Sequence, residues 1–305
     1  MKILVIRLSS IGDIVLVSPV LRCLKRQLKE AEVHLLVKPP FAPIGENNPY
    51  VDRTLKYGEP LEEDYDYVVD LQGNARSRRV CRGLKAKRLT FPKRNFAKLL
   101  LVLLKREVLP IGHVCERYFR AVAPLGVKND GEGLDFFHKE SPRPVEGDYV
   151  VMVVGANHAT KTIPLSHLHA LALRASKPVV LIGGRKEAGL LEAFPQPWPA
   201  NVVNLCGQTS LDESASILQG ASLVVAPDTG MMHIATALGA PLCLLWGCTD
   251  PRLGFAPYLP KGELTQYVGH SCPLHPCSKL GFERCPLRHY RCMNNHPWNQ
   301  IYPIL

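Results

Sequence analysis

The sequence predicts an α/β protein made of two halves, each built around a parallel β-sheet. Short apolar runs of strand length alternate with helix-length stretches along the whole chain. A helix between two successive strands favours parallel pairing, because the chain has crossed back before the next strand begins. A polar, proline-containing stretch at residues 139–148 divides the runs into two series. We therefore expect two domains.

The individual elements follow from the apolar runs and their periodicity. In the first half we predict strands at residues 3–6, 32–37, 67–70 and 88–90 and a helix at residues 14–29. In the second half we predict strands at residues 149–154, 179–182, 202–204, 223–226 and 242–246, with helices at residues 166–175, 186–194 and 211–219. The predicted organisation is an N-terminal domain over residues 1–145, a second domain over residues 146–285, and a tail over residues 286–305 that packs back on the first domain.

Length and composition are typical of a soluble enzyme. The 305 residues are 46% hydrophobic and 21% charged, which is enough apolar side chain for two medium-sized cores. The longest aliphatic run outside the predicted strands, residues 99–104, is far shorter than the roughly 18 residues of a membrane-spanning helix. The opening residues lack the basic and apolar regions of a signal peptide. We expect a cytoplasmic protein.

The net charge of +10 is concentrated in the N-terminal half. Residues 76–106 contain twelve Lys or Arg and no acidic residue, interleaved with Phe91, Phe96 and a Leu-rich run. Such a segment favours anionic surfaces. Nucleic acid, an acidic membrane surface, and a phosphorylated or carboxylated substrate are all open at this point, as is a solvated basic face with no partner.

The most specific local pattern lies between Ser222 and Pro251, where an apolar run, a polar turn, a small-residue helix and a second apolar run follow one another. Asp228 and Thr229 stand at the N-cap position, and Gly230 leaves room above the first helical turn. The free N–H groups and the dipole of such a turn favour a phosphate or pyrophosphate. Taken alone, the three residues have a simpler interpretation as an ordinary capped helix.

Three further polar groups follow predicted strands. Asp13 comes after the first strand, beside Ser10 and Gly12, and Lys161 and Glu187 follow the first two strands of the second half. Open α/β sheets bind ligands at the carboxyl ends of their strands, so these groups are expected to face a cleft. The alternatives are an acid that complements a helix dipole, for Asp13 and Glu187, and an exposed surface lysine, for Lys161.

Four of the ten cysteines cluster near the C-terminus: Cys272, Cys277, Cys285 and Cys292. In a cytoplasmic protein such a cluster favours a zinc site over disulfides. The spacings lack the paired C-x2-C knuckles of common structural zinc sites. A structural zinc ion and a set of metal-free thiols therefore both remain open.

Several segments together resemble the ADP-heptose:lipopolysaccharide heptosyltransferase family. They are RLSSIGDIVLVSPVLRCLK, DLQGNARS, GANHATKTIP, GQTSL and DTGMMHIATALGAPLCLLWGCTDP, in order from residue 1 to about residue 251. The resemblance implies a GT-B fold with two Rossmann-like domains, the first binding the acceptor and the second the nucleotide-sugar. It further implies inverting, metal-independent transfer of heptose from ADP-heptose to the Kdo or heptose of the lipopolysaccharide inner core, with no cofactor required.

The resemblance also implies roles for individual residues. Asp13 matches the base that takes the proton of the acceptor hydroxyl, and Lys161 matches a cation that stabilises the leaving diphosphate. The expected donor contacts are Thr160, Glu187, Thr209, Asp228, Thr229, Gly230 and His233. The expected acceptor contacts are Ser10, Gly12, Arg76 and Arg78.

One departure from the family pattern lies beside the expected donor contacts, where Ile163 replaces an aromatic residue. A related glycosyltransferase that uses another nucleotide-sugar or acceptor is therefore the first alternative. A basic nucleic-acid-binding protein is the second, although no nucleic-acid-binding motif is present and we expect no nucleic acid partner. With an anionic acceptor, residues 95–106 are expected to touch the inner face of the cytoplasmic membrane peripherally, with burial of the Leu-rich run in the protein as the alternative.

Overall fold

The computed structural model describes residues 1–61, 64–194, 197–269 and 271–304. Two compact units are present. The first contains residues 1–95 and 112–138, and the second contains residues 96–111 and 139–305. The predicted boundary lies close to residue 139, where the chain enters the second unit for the second time. Residues 96–111 and the C-terminal tail also belong to the second unit.

The helices and strands alternate along the chain as the apolar pattern indicates. Up to the domain boundary they are β1 (Lys2–Ile6), α1 (Ile11–Val15), α2 (Ser18–Gln27), β2 (Glu32–Val37), α3 (Ala42–Glu46), β3 (Arg53–Lys56), β4 (Tyr67–Asp70), α4 (Ala75–Arg82), β5 (Lys87–Thr90), α5 (Asn95–Leu104) and α6 (Val114–Val122). Beyond it they are β6 (Val150–Val153), α7 (Leu165–Arg174), β7 (Val179–Ile182), α8 (Arg185–Glu192), β8 (Val202–Asn204), α9 (Leu211–Gln219), β9 (Leu223–Pro227), α10 (Gly230–Leu238), β10 (Leu242–Trp246), β11 (Leu264–Val268), α11 (Arg291–Asn294) and α12 (Trp298–Ile301).

Each unit has one parallel sheet. The strand order is β3-β2-β1-β4-β5 in the first unit and β11-β10-β9-β6-β7-β8 in the second. Both orders reverse direction in the middle, at β1/β4 and at β9/β6, which is the doubly wound arrangement of Rossmann-like sheets. The central strands β1 and β6 are almost completely buried, so the carboxyl ends of the strands carry the groups that solvent reaches.

The predicted helix at residues 14–29 is interrupted in the structure. It forms two helices, α1 and α2, which are separated by Leu16 and Val17. Pro19 stands at the second position of α2, where the missing N–H is harmless, but a proline inside one continuous helix would remove a hydrogen bond.

Arg22 on α2 is fully buried and fixes the segment that follows α6. Its Nε and Nη2 donate to the carboxylate of Asp130 at 2.8 Å each, and its Nη1 pairs with Asp135. The hydrogen bonds from Arg22 lower the pKa of Asp130. The carboxylate therefore stays ionised at neutral pH, as a buried charge needs an ionised partner.

Helix α5 packs on the second unit with one face only. Ala97 and Leu101 are buried against Leu253, and the Lys98 ammonium lies 3.8 Å from the centroid of the Phe255 ring. The other face is exposed, so the alternative of a buried Leu-rich run holds for only part of it. In the described part of the chain, no helix has both the length and the apolar character that crossing a membrane requires.

Candidate functional site

A buried ion pair lies at the carboxyl edge of the second sheet. The Lys161 ammonium is 2.8 Å from a carboxylate oxygen of Asp228, and the two side chains are only 13% and 12% exposed. The hydroxyl of Thr249 donates to the same oxygen at 2.8 Å. Lys161 follows β6 and Asp228 follows the neighbouring strand β9, so the parallel sheet brings together two residues that are far apart in sequence.

Helix α10 begins directly after this pair. Thr229 is its N-cap, but no side chain caps the first turn, and Thr229 and Gly230 are half-exposed. Gly239 ends the helix in the left-handed conformation that glycine tolerates best (φ 73°). The result is a nine-residue helix whose N-terminal N–H groups and positive dipole end face solvent beside Lys161.

Two of the expected donor contacts lie further from this turn. His233, one turn along α10, is 5% exposed. Thr209 precedes α9, and its hydroxyl lies 2.9 Å from that of Ser214. The structure thus places His233 mostly inside the second unit, and leaves Thr209 half-exposed in the loop before α9.

Glu187 lies over the ends of β6 and β7. Its carboxylate accepts a hydrogen bond from the Gly184 N–H at 2.9 Å, as expected for an acid in the first turn of α8. A Cβ atom at Gly155 would collide with this carboxylate, and one at Gly183 would come within 2.9 Å of the Glu187 Cβ. The two glycines after these strands therefore make the space that Glu187 occupies.

Thr160 does not occupy the expected phosphate-binding position. It is 2% exposed, and its hydroxyl donates to the Phe282 carbonyl at 3.0 Å and accepts from the Phe282 N–H at 2.8 Å. The Cys248 sulfur lies 3.0 Å from the same hydroxyl. Because its polar atoms are bonded inside the protein, Thr160 supports the loop that carries Lys161 and is not available to a ligand.

The thiol of Cys248 has an unusual environment behind that loop. Its pKa is lowered, mainly by the interaction with the neighbouring thiol of Cys277, with smaller contributions from Thr160 and the charge of Lys161. Burial acts in the opposite direction. Cys248 was not singled out from the sequence, because a cysteine after an apolar strand is usually an inert core residue.

Asp13 lies in the first turn of α1, at the carboxyl end of β1. One oxygen is 2.6 Å from the Arg7 guanidinium, and the other accepts from the N–H and hydroxyl of Ser10 at 3.1 and 3.2 Å. The Asp13 side chain is 26% exposed. The ion pair with Arg7 orients the carboxylate, which stays partly exposed to solvent.

The neighbouring acceptor candidates differ in accessibility. Ser10 is half-exposed, whereas Gly12 is buried in α1, so the expected direct contact of Gly12 with an acceptor does not fit its position. Arg7, which we did not select from the sequence, also donates to the Leu71 carbonyl at 2.6 Å. The sequence signal for it was an arginine directly after an apolar strand; in the structure Arg7 is only 9% exposed.

The DLQGNARS turn lies beside Asp13 in the same unit. The carboxylate of the fully buried Asp70 accepts from the N–H of Gly73, the hydroxyl of Ser77 and the guanidinium of Arg88, at 2.7, 3.0 and 2.6 Å. Gln72 accepts from the Leu8 N–H at 2.9 Å and so joins the turn to the end of β1. Asp70 thus organises the turn from inside.

Three basic side chains lie on or beside this turn. Arg76 and Arg78 are exposed in the first turn of α4. Lys93 lies over Gly73, where a Cβ atom would come within 2.7 Å of the lysine Cε. Partial burial and the charge of Arg7 lower the pKa of Lys93. Nothing in the sequence separates Lys93 from the other basic residues of this segment.

A family model described as glycosyltransferase family 9 (heptosyltransferase) matches residues 54–267, well over half of the chain. A curated relative, lipopolysaccharide heptosyltransferase 1 of Pseudomonas aeruginosa, is 27% identical, and the alignment covers 92% of this chain and 86% of the relative.

Solved structures have the same fold. The E. coli ADP-heptose LPS heptosyltransferase II is similar with a TM-score of 0.66 at 20% identity, covering 97% of this chain and 98% of that one. The iron-containing dodecameric glycosyltransferase TibC from enterotoxigenic E. coli gives a TM-score of 0.64 at 14% identity, covering 99% and 74% of the two chains. The fold is therefore the GT-B type, with Rossmann-like sheets.

Proposed function

Because the chain belongs to glycosyltransferase family 9, we propose that it transfers heptose from ADP-heptose to a Kdo or heptose residue of the lipopolysaccharide inner core. The observation that carries this proposal is the Lys161–Asp228 ion pair beside the open N-terminus of α10. The Lys161 ammonium and the uncapped N–H groups at the start of α10 together offer donors of the kind that bind a diphosphate. The reaction proceeds with inversion and without a metal ion at the reacting centre.

The donor groups suit a departing ADP. As the glycosidic bond breaks, negative charge grows on the diphosphate, and the Lys161 ammonium with the N–H groups at Thr229 and Gly230 stabilises it. Lys161 is already held in place by Asp228, so little reorganisation is needed during the reaction. Asp228 also has a carboxylate that can accept hydrogen bonds from sugar hydroxyls.

The remaining donor contacts lie along the same sheet edge. In this proposal Glu187, at the ends of β6 and β7, holds the ribose hydroxyls, because carboxylates near the strand ends of Rossmann-like sheets accept from ribose. Thr209 contributes a half-exposed hydroxyl. His233 lies deeper in α10 and supports the helix start that faces the diphosphate.

On the acceptor side, Asp13 acts as general base. It takes the proton of the attacking hydroxyl as that oxygen bonds to the anomeric carbon, opposite to the leaving diphosphate. Arg7 and Ser10 orient its carboxylate. Arg76, Arg78 and Lys93 supply positive charge for the carboxylates of Kdo, which suits an acceptor rich in sugar acids.

A donor panel tests the proposed activity. Each reaction contains purified protein, a defined truncated lipopolysaccharide as acceptor and one donor, which is ADP-heptose, ADP-glucose, GDP-mannose or UDP-glucose. Release of the nucleotide is measured in each reaction. We expect release from ADP-heptose alone, unchanged by a chelator, and a product whose anomeric configuration is opposite to that of the donor. Preferred release of GDP or UDP would instead support the alternative nucleotide-sugar.

The structure supports the nucleic-acid alternative less well than the number of basic residues in the sequence does. Several of the twelve basic residues in 76–106 make internal contacts: Arg88 pairs with Asp70, Lys98 packs on Phe255, and Lys105 donates to the carbonyls of Leu274 and Pro276. The positive charge left for an external partner is correspondingly smaller. Sequence-selective RNA binding without any affinity for ADP would contradict the enzyme proposal.

We further propose that the exposed face of α5 touches the inner membrane surface, where the acceptor resides. Phe96 and Leu103 on this face are 65% and 62% exposed, and Arg94 and Arg106 flank it. Exposed apolar side chains beside basic ones are the features of a peripheral contact with anionic lipid. Since the opposite face of α5 is fixed to the second unit, this contact needs no unfolding.

Flotation with vesicles tests this contact. The double variant Phe96→Ser/Leu103→Ser should bind phosphatidylglycerol-containing vesicles about tenfold more weakly, because two apolar side chains contribute on the order of 1–3 kcal/mol when buried. Leu173→Ser is the matched control, since Leu173 on α7 is 59% exposed. Equal flotation of all three proteins, or flotation independent of anionic lipid, would contradict the proposal.

A further inference from the structure

Five cysteines line one small cavity in the second unit. They are Cys248, Cys272, Cys277, Cys285 and Cys292. The cavity volume is about 10 Å³, roughly the space that one water-sized sphere needs. All ten cysteines of the chain are free thiols.

Backbone contacts hold the cavity walls together. The Cys277 N–H donates to the Cys248 carbonyl at 3.1 Å, and the Cys248 N–H donates to the Thr160 carbonyl at 3.3 Å. The Thr160 N–H in turn donates to the Phe282 carbonyl at 3.2 Å. The loops after β6 and β10 and the C-terminal segment are thereby joined around the thiols.

Two glycines at the ends of strands of the sheet lie on the other side of the cavity. Cβ atoms at Gly247 and Gly269, which follow β10 and β11, would collide with the backbone of Thr160 and of Cys292 respectively, and Met293 lies within 3.0 Å of the Gly247 position. Cys292 therefore lies directly against the sheet edge. Its place in the cavity is fixed by backbone packing and does not depend on a flexible side chain.

The segment between Cys272 and Tyr290 contains neither helix nor strand, although it is described throughout. A structureless segment of this length inside a compact domain needs some other source of order. Hydrogen bonds supply part of it, but three of the five cavity cysteines come from this segment, at Cys272, Cys277 and Cys285. A metal ion bound to several thiolates orders such a segment efficiently.

The histidines of the cavity differ in availability. Nε2 of His275 lies 2.9 Å from the Thr249 carbonyl, and its Nδ1 lies 3.7 Å from the Asp250 carboxylate, so both ring nitrogens face structural groups. His289 accepts the Arg291 N–H at Nδ1 and points Nε2 towards the Cys272 sulfur, 4.0 Å away. The Cys248 thiol donates to the Thr160 hydroxyl at 3.0 Å and is thereby engaged with the loop that carries Lys161. The four C-terminal cysteines are left as the thiol set.

We propose that Cys272, Cys277, Cys285 and Cys292 bind one Zn²⁺ ion in this cavity as a structural centre. Four thiolates in tetrahedral arrangement are a preferred zinc ligand set, and binding releases the thiol protons to solvent without any change of oxidation state. Among the described residues, no three His, Cys, Asp or Glu side chains are close enough to hold an ion as they stand. Binding therefore includes rotation of the cysteine side chains into the cavity.

The proposal is independent of the sugar that the protein transfers, and its test does not use activity. The wild-type protein is purified without a metal-affinity tag from cells supplied with both zinc and iron, and its metal content is measured by mass spectrometry. We expect one zinc ion per chain. After removal of zinc with a chelator, titration with Co²⁺ should give the visible and near-ultraviolet bands of a tetrahedral cobalt–thiolate centre at one equivalent.

Variants identify the ligands. Cys277→Ser and Cys285→Ser should each lose the zinc, while Cys81→Ser, a half-buried thiol in the first unit, should keep it. Because ligand variants can fail to fold, the wild-type metal content and the cobalt titration decide the matter independently. Folded wild-type protein without zinc, iron in its place, cobalt without thiolate bands, or disulfides among the four cysteines would each overturn the proposal.

Discussion

Asp13→Asn should lower the turnover number by about 10²- to 10⁴-fold while leaving the affinity for ADP-heptose nearly unchanged. The amide has almost the size of the carboxylate, and its oxygen can still accept from the Ser10 N–H, which keeps the first turn of α1 in place. It cannot take a proton from the acceptor hydroxyl. The measurement is steady-state kinetics of ADP release together with calorimetric binding of the donor.

A matched control separates this chemistry from helix capping. Glu213 accepts the Ser210 N–H at 2.7 Å in the first turn of α9, which is the same arrangement as Asp13 and Ser10. Glu213→Gln should leave turnover at the wild-type value. Asp13 would lose its role as base if Asp13→Asn retained wild-type turnover, or if both variants lost activity equally.

Lys161→Ala should reduce kcat/KM for the donor by about 10²- to 10³-fold, the effect of removing one group that stabilises charge in a transition state. The variant loses the ammonium near the start of α10 and also leaves the Asp228 carboxylate, 12% exposed, with only the Thr249 hydroxyl as a neutral partner. An unpaired carboxylate at this position repels the diphosphate. We therefore expect both weaker ADP binding and slower transfer.

Two further variants separate the effect of the lost ammonium from the effect of the unpaired Asp228 carboxylate. Lys186→Ala removes an exposed lysine from the first turn of α8 and should behave as wild type. Lys161→Ala combined with Asp228→Asn should lose less than the sum of the single effects, because the repulsive charge is removed together with its partner. Wild-type donor kinetics for Lys161→Ala would contradict the proposed role of this lysine.

The apolar pattern predicted the central strands and the edge strands β5 and β8, but it missed the other edge strand of each sheet. The bounds of β2, β10 and the helix α9 agree with the predicted ones. The edge strands β3 and β11 were missed, because one face of an edge strand is solvated and its sequence, as in Arg53–Lys56, lacks a continuous apolar run. The edge strand β8 was still predicted, because Val202 and Val203 supply a short apolar run.

The site was predictable residue by residue but not as an arrangement. Lys161 and Asp228 were both selected, yet nothing in the sequence paired them, because their contact depends on β6 and β9 being neighbours in the sheet. Thr160 was assigned to the ligand and turned out to be buried against Phe282. Arg7 was missed since its partner Asp13 lies across a turn that the sequence does not describe.

The packing of Cys292 and Met293 against Gly247 and Gly269 has a consequence for biosynthesis. Met293 and Ile301 belong to the main core of the second unit, although they follow every strand of its sheet in the chain. During translation all strands of this sheet are therefore synthesised before the residues that complete its core. Apolar surface at the ends of β10 and β11 stays uncovered until residues 292–301 emerge, so a ribosome stalled before that point would present a form prone to aggregation or to chaperone capture.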